Sequence, residues 1–176
     1  MITASAIELI RGGRPLLQNA TASINPGQKV ALVGANGTGK SSFFALLKGE
    51  LHADNGELSF PSNWQLASVA QETPALNKSA IEYVMDGDRE FRRHEAELAA
   101  AEAAEDGHKI ALLHGQIETI GGYTIKARAA ELLAGLGFSN DKQQNPVSDF
   151  SGGWRMRLNL AQALLCRSDL LLLDEP

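Results

Sequence analysis

A glycine-rich segment near the start of the chain has the residue types and spacing that bind phosphate. Residues 34–41 read Gly-Ala-Asn-Gly-Thr-Gly-Lys-Ser, which matches the pattern G-x-x-x-x-G-K-[ST]. Glycines allow positive φ, so successive backbone N–H groups can turn toward one point and form an anion site. Lys40 would supply positive charge for the β- and γ-phosphates, and the Ser41 hydroxyl is a hard oxygen ligand for Mg²⁺. The pattern predicts that ATP and Mg²⁺ are bound by Gly34, Ala35, Asn36, Gly37, Thr38, Gly39, Lys40, Ser41 and Ser42.

A second candidate site lies where an apolar run ends in two carboxylates. Residues 169–173 predict a buried strand, and Asp174 and Glu175 follow it directly. Because ligands of open α/β sheets lie beyond the carboxyl ends of strands, we expect these acids beside the phosphates. Asp174 suits a Mg²⁺ ligand, and Glu175 suits the catalytic residue that orients or deprotonates the attacking water. The alternative is a strand that ends in an ordinary polar turn before Pro176.

A second glycine motif, Ser151-Gly152-Gly153, precedes a predicted amphipathic helix over 154–165. Ser151 suits the N-cap of that helix, and the two glycines would let a phosphate approach the backbone. Taken alone, the motif is more often only a helix cap.

Regular elements are predicted on both sides of the phosphate loop. Lys29–Val33 is short, apolar and rich in β-formers, which predicts a strand buried in a parallel sheet. The apolar residues within 41–49 predict a helix that ends at Gly49. This strand–loop–helix order favours a phosphate site over a glycine-rich turn without a ligand. Further strands are predicted at residues 4–10, 20–24, 57–60 and 66–70.

The middle third of the chain is predicted to be helical. Apolar residues recur at three- and four-residue spacing within 81–98, 110–120 and 125–136. Asp106-Gly107 interrupts the pattern, so we expect a hairpin of two helices followed by a third helix.

The composition excludes several classes of protein. The chain has 176 residues and a net charge of −5, and residues 71–150 hold eight basic and fourteen acidic side chains. This acid excess argues against a strong nucleic-acid binder, and the cluster Arg89, Arg92 and Arg93 reads as a solvated helix face. Cys166 is the only cysteine, and no apolar run approaches the roughly 20 residues of a membrane span. We see no export signal and expect a reduced, cytoplasmic compartment.

In this order the three motifs, together with Gln71, resemble the nucleotide-binding domain of ATP-binding cassette (ABC) proteins. They match its phosphate loop, glutamine loop, signature motif and acidic strand. The signature Ser151–Arg157, with Trp154 where transporters usually carry glutamine, is similar to the ABC-F form. Asn25–Lys29 and Val147–Phe150 resemble the bacterial YheS-type branch of that family.

The resemblance implies an α/β P-loop NTPase fold with an antiparallel β subdomain and a helical subdomain. Residues 1–72 and 150–176 would form the ATP-binding core, and 73–149 the helical subdomain with a short arm insertion. It also implies C-terminal truncation, since the family continues beyond Pro176 to a switch histidine that none of the four histidines here matches.

The resemblance further implies an ATPase that acts on the ribosome and transfer RNA, without a membrane domain. ATP would lie between two cassettes of one longer polypeptide, with Ser151, Gly152 and Gly153 serving the opposite nucleotide. Gln71 would contact Mg²⁺ and the γ-phosphate. The usual adenine-stacking aromatic is missing, and Arg11 lies near its position. One cassette alone would bind ATP weakly and hydrolyse it slowly or not at all.

Two other functions stay open at this stage. The ATP-binding subunit of a membrane transporter shares the same motifs, although Trp154 and the helical insertion argue against it. The second alternative is a structural or regulatory ATP-binding module without catalysis, and Glu175 argues against this function.

Overall fold

The computed structural model describes residues 1–69 and 75–174. The chain divides into two compact units, residues 1–66 and 67–176. The proposed assignment of 150–176 to the ATP-binding core stays a prediction.

The first unit contains a three-stranded antiparallel sheet in the order β2-β1-β3. Its strands are β1 (Ile2–Arg11), β2 (Arg14–Ile24) and β3 (Asn55–Ser59). Ile2 faces Ile24 and Arg11 faces Arg14, so the Gly12-Gly13 turn joins β1 and β2 as a tight hairpin. The strands predicted at 4–10 and 20–24 are confirmed. The strand predicted at 57–60 is also present, and it runs from Asn55 to Ser59.

The core of the first unit lies between this sheet and one helix, α1 (Lys40–Leu47). Ile7 and Leu9 are fully buried and pack with Leu46 of α1. Gly56 lies close to an irregularity of β1, since a Cβ built on it would fall 2.2 Å from the carbonyl oxygen of Ala6. Its φ of 82° also requires glycine. The predicted helix is confirmed, beginning one residue early and ending before Gly49.

The predicted strand Lys29–Val33 is wrong. Within residues 1–69 and 75–174, neither sheet includes this run. Its apolar side chains are exposed, with Val33 at 86% and Val30 at 61%. A strand needs a neighbouring backbone to complete its hydrogen bonds, and an apolar sequence alone does not supply one. The preceding turn does form, because the Gln28 N–H donates to the carbonyl of Asn25 at 3.2 Å.

The second unit is mainly helical. In chain order its helices are α2 (Ala80–Met85), α3 (Arg89–Ala103), α4 (Gly107–Thr119), α5 (Ile125–Gly135), α6 (Asn140–Gln143) and α7 (Gly152–Leu165). Short 3₁₀ turns occur at Gly122–Thr124 and Val147–Asp149. The helix predicted within 81–98 is divided into α2 and α3, because Asp88 caps a new helix start. Helices α3 and α4 form the predicted hairpin, and α5 is the predicted third helix. The fully buried side chains of its core include Val84, Ile125, Leu133, Phe138, Leu158 and Leu165.

Helices α2 and α7 are joined by polar contacts as well as by the core. The Tyr83 hydroxyl donates to Oδ1 of the buried Asn159 at 2.7 Å, and Nε2 of Gln162 donates to the Tyr83 carbonyl at 2.7 Å. Buried polar groups that are hydrogen-bonded fix one relative placement of two helices.

The arginine cluster of α3 is not simply a solvated face. Arg93 is exposed as expected, but Arg92 donates to Glu82 at 2.7 Å, to Asp86 at 2.9 Å and to Glu95 at 2.6 Å. Burial lowers the pKa of Arg92, yet the hydrogen bonds to Glu82 and Glu95, together with the negative charges of Glu95 and Asp86, outweigh this and raise it. The sequence did not indicate this network because the partners at 82 and 86 come from α2 and the segment that follows it.

A short two-stranded sheet completes the second unit. Strand β4 (Leu66–Ser68) pairs with β5 (Leu170–Leu172), and the Val69 N–H donates to the Leu172 carbonyl at 3.4 Å. The strands predicted at 66–70 and 169–173 are therefore present in shorter form over the described residues. None of the helices in 1–69 and 75–174 has the length and apolar character that a bilayer crossing demands.

Candidate functional site

The phosphate loop is folded around the side chain of Lys40. Its Nζ donates to the carbonyl oxygens of Gly34 at 2.9 Å and Ala35 at 3.0 Å. The Thr38 hydroxyl donates to the same Ala35 carbonyl at 2.8 Å and closes the turn. An ammonium group has three donors, and the described residues accept from two of them, so the third can donate to an oxygen of a ligand. The loop thus holds its positive charge in place before any ligand arrives.

The loop leads into the N-terminus of α1, where no side chain of residues 1–69 and 75–174 makes a capping hydrogen bond. Gly39 is the N-cap residue, so no side chain caps the helix, and the first turn has no acidic residue. The first backbone N–H groups of a helix lack intrahelical partners and carry partial positive charge. An anion such as a phosphate would satisfy them.

Glycine is required at position 39 for two reasons. Its φ is 98°, which side-chain-bearing residues rarely adopt, and a Cβ would lie 3.1 Å from Cβ of Leu16. Leu16 lies on β2, and no sequence signal indicated that it supports the loop. The loop is therefore set closely against the sheet.

The remaining predicted ligands of the loop begin α1. Ser41 is exposed in the first turn and Ser42 is half-buried behind it. Asn36 and Gly37 are exposed at the turn itself, with Gly37 at a φ of 78°. An exposed hydroxyl at this point fits a Mg²⁺ ion carried in by a nucleotide, since Mg²⁺ prefers oxygen and few protein ligands. Among the described residues no group of three or more His, Cys, Asp or Glu side chains could hold a metal on its own.

Arg11 is the last residue of β1, and its guanidinium is held beside Ile10 and Asp54. Nη1 donates to the carbonyl of Ile10 at 2.8 Å and lies 3.7 Å from Oδ2 of Asp54. The same Asp54 oxygen accepts from the Ile10 N–H at 2.7 Å. The side chain stays 40% exposed. Its stacking on adenine stays a prediction.

The second glycine motif begins α7 and is open. Ser151 is the N-cap residue, as predicted, but its hydroxyl makes no capping hydrogen bond. Its backbone carbonyl accepts from the Arg155 N–H at 2.9 Å. Apart from the chain neighbours and the backbone of α7 itself, no atom of the described residues lies within 4 Å of a Cβ built on Gly152 or Gly153. The hydroxyl and the open backbone can therefore receive a phosphate.

Trp154 fixes this helix start to the rest of the helical unit. Its ring meets Phe138 edge-on with centroids 4.8 Å apart. The Lys142 ammonium lies 4.5 Å and the Arg157 guanidinium 4.8 Å from the centre of the indole. Cations over an indole face are favourable, so the orientation of α7 is set by Trp154 in its first turn as well as by its core. The sequence showed Trp154 as a family marker but gave no sign of this arrangement.

The three remaining predicted site residues are Gln71, Asp174 and Glu175. Asp174 is half-buried just after β5, in the second unit, whereas the phosphate loop belongs to the first. Gln71 and Glu175 lie outside the described residues. The predictions that Gln71 and Asp174 bind Mg²⁺ and that Glu175 is catalytic stay predictions.

Comparison with known protein families and structures agrees with these motifs. The family model described as ABC transporter matches residues 17–176. A solved metal-chelate type ABC transporter in an inward-facing conformation matches with a TM-score of 0.63, at 19% identity over 99% of this chain and 59% of that one. This supports the same fold, an ABC nucleotide-binding domain with an antiparallel sheet and a helical part.

The similar curated proteins include members of one branch. The probable ATP-binding protein YheS of Escherichia coli K12 is 64% identical over all of this chain, and its Haemophilus influenzae counterpart is 60% identical. The chain spans 28% of the length of both proteins. Human ATP-binding cassette sub-family F member 3 is 39% identical over 94% of this chain and 24% of its own length. The chain therefore belongs to the ABC transporter family, and within it to the ABC-F branch.

Proposed function

We propose that the chain binds Mg²⁺-ATP through the phosphate loop and the N-terminus of α1. The observation that carries the proposal is the position of the Lys40 ammonium, held at 2.9 Å and 3.0 Å by two loop carbonyls at a helix end without a side-chain cap. That arrangement offers backbone donors, a helix dipole and a cation to one anionic group. Two of its relatives are named probable ATP-binding proteins, which supports the same ligand.

The reaction we propose for the full-length protein is hydrolysis of ATP by in-line attack of water on the γ-phosphate. Lys40 and the α1 N-terminus would neutralise the β- and γ-phosphate oxygens as charge shifts between them. Ser41 and Asp174 would hold Mg²⁺, Gln71 would contact that ion and the γ-phosphate, and Glu175 would orient the attacking water. Mg²⁺, when bound, supplies charge neutralisation at the phosphates.

The exposed motif at the start of α7 supports a two-cassette arrangement. We propose that Ser151, Gly152 and Gly153 contact the γ-phosphate held by a second cassette of the same longer polypeptide. A single chain lacks that opposing motif, so it would bind ATP weakly and hydrolyse it slowly or not at all. Arg11 would take the place of the missing adenine-stacking aromatic.

The cellular role we propose is that of a cytoplasmic ABC-F ATPase acting on the ribosome and transfer RNA. Membership of the ABC-F branch and the α3–α4 hairpin of the helical unit support this role. The alternative is the ATP-binding subunit of a membrane transporter, which the fold of the solved metal-chelate type transporter supports. Cosedimentation of the full-length protein with ribosomes supports the first role, and recovery with membranes alone would contradict it.

The binding proposal is tested by displacement of a fluorescent ATP analogue from the chain in the presence of Mg²⁺. ATP and ADP should compete, because the loop faces the β-phosphate, and AMP should compete at least tenfold less well. Equal competition by all three nucleotides, or no binding of the analogue, would contradict the proposal.

A further inference from the structure

Arg167 joins both ends of the α3–α4 hairpin to the segment between α7 and β5. Asp88 is the N-cap residue of α3, and Ile120 follows the end of α4. Nε of Arg167 donates to Oδ2 of Asp88 at 2.8 Å, and its Nη2 donates to the Ile120 carbonyl. One guanidinium group therefore holds the entry and the exit of the hairpin, and it comes from a residue 79 positions away from Asp88 in sequence.

The contact with Arg167 stabilises the buried carboxylate of Asp88. Its side chain is only 1% exposed, and its other carboxylate oxygen accepts the Phe91 N–H at 3.0 Å. A buried carboxylate is costly unless a cation and hydrogen-bond donors satisfy it. Arginine suits the position because its rigid fork donates in two directions at once, which a lysine ammonium on a flexible stem does less well.

The hairpin base is also packed tightly against α7. A Cβ built on Gly87 would fall 2.2 Å from the carbonyl oxygen of Gln162 on α7. The Gly87–Asp88 segment therefore has no free space on that side, and its position is tied to the C-terminal half of α7. Arg167 lies just beyond that half and just before β5, the strand that leads to Asp174.

We infer that Arg167 is a positioning residue that couples the α3–α4 hairpin to β5 and thereby to Asp174. A force on the hairpin, or a ligand at Asp174, would be transmitted to the other site through this guanidinium, in addition to the packing of Gly87 on α7. The link between the hairpin and the segment before β5 stands on the contacts of Arg167 with Asp88 and Ile120. Its consequence for nucleotide rests on the proposed function.

The coupling is tested by hydrogen–deuterium exchange of the 176-residue chain without nucleotide. Arg167→Gln should lower the protection of amides near Phe91, near Ile120 and in β5 by roughly ten- to a hundredfold, the value of a hydrogen bond to a charged group. Arg93→Gln is the control, because the Arg93 side chain is 62% exposed on α3 and its ion pair is with Glu97 at 4.0 Å on the same helix. Unchanged protection in β5 would overturn the inference.

Two milder variants keep the test valid where Arg167→Gln fails to fold. Asp88→Asn retains an oxygen for the Phe91 N–H but removes the charge, and it should loosen β5 from the hairpin side. Arg167→Lys should keep the Asp88 end protected and expose the Ile120 end. If Asp88→Asn changes exchange in α3 and leaves β5 unaltered, the two sites are not coupled and the inference fails.

Adding Mg²⁺-ATP separates this inference from the proposed function. In the unmodified chain ATP should slow exchange at the hairpin base, and in Arg167→Gln this response should be lost while ATP still binds. A chain that shows the ligand-free coupling but never binds ATP would contradict the proposed function alone. A chain whose hairpin responds to ATP equally with and without Arg167 would contradict the coupling alone.

Discussion

Nζ of Lys40 lies 2.9 Å from the carbonyl oxygen of Gly34, so the phosphate loop closes on its own lysine. The loop backbone is thereby arranged before a ligand binds, and less ordering remains for the ligand to drive. A Cβ on Gly34 would lie 2.8 Å from the Thr38 hydroxyl that closes the same turn. The first residue of the motif therefore tolerates nothing larger than glycine unless Thr38 moves.

Gly56→Ala should destabilise the first unit by about 2–5 kcal/mol, because the new Cβ overlaps the Ala6 carbonyl and φ is positive. Gly49→Ala is the matched control, with a φ of 73° and no atom within 4 Å of its Cβ, and should cost about 1–2 kcal/mol. Urea unfolding followed by Trp64 fluorescence in a Trp154→Phe background reports the first unit. Equal losses in the two variants would show that the close approach to Ala6 is not present.

Trp154→Ala should destabilise the second unit by about 2–4 kcal/mol, since it removes the ring that packs on Phe138. Lys142→Gln removes one of the two cations over the indole and should cost about 0.5–1 kcal/mol. Thermal unfolding, followed by circular dichroism at a helix band, measures the loss of stability in both variants. A Trp154→Ala chain as stable as the unmodified one would refute the packing described here.

The thiol of Cys166 should react slowly with iodoacetamide at mildly alkaline pH. Burial raises its pKa above the ordinary value of 9.0, with Arg89 lowering it and Asp88 raising it to smaller extents. Less thiolate is then present than in the unfolded chain, where alkylation should be faster. The unfolded chain loses the thiol proton at a lower pH than the folded chain does. The contribution of this thiol to the free energy of unfolding is therefore complete below pH 9.0 and falls as the pH rises through the pKa of the folded chain. Equal alkylation rates in the presence and absence of urea would contradict the raised pKa.

Local sequence patterns predicted most helices of this chain and the residue types of the phosphate loop. Ile125, Ala129 and Leu133 recur on one face of α5, and all three are buried in the structure. Periodicity works there because a helix completes its backbone hydrogen bonds within itself. It failed for Lys29–Val33 because a strand depends on a partner that the run itself does not contain.

Contacts between distant residues could not be predicted in the same way. Arg167 and Asp88 are 79 positions apart, and their pairing depends on how α7 returns beside the hairpin base. Lys142 lies 4.5 Å from the centre of the Trp154 ring although the two residues belong to different helices, α6 and α7. These contacts depend on the packing of several elements together, so they cannot be predicted from any single segment of the sequence.

The central claim, that the loop around Lys40 binds the phosphates of ATP, is tested most directly by calorimetric titration of Lys40→Ala with Mg²⁺-ATP. Loss of a charge-assisted hydrogen bond of about 1.5–3 kcal/mol should weaken binding roughly ten- to a hundredfold. Lys48→Ala is the control, since Lys48 ends α1 and pairs with Glu50 at 3.1 Å, and it should leave the affinity within about twofold of the unmodified chain. An unchanged ATP affinity in Lys40→Ala would contradict the account.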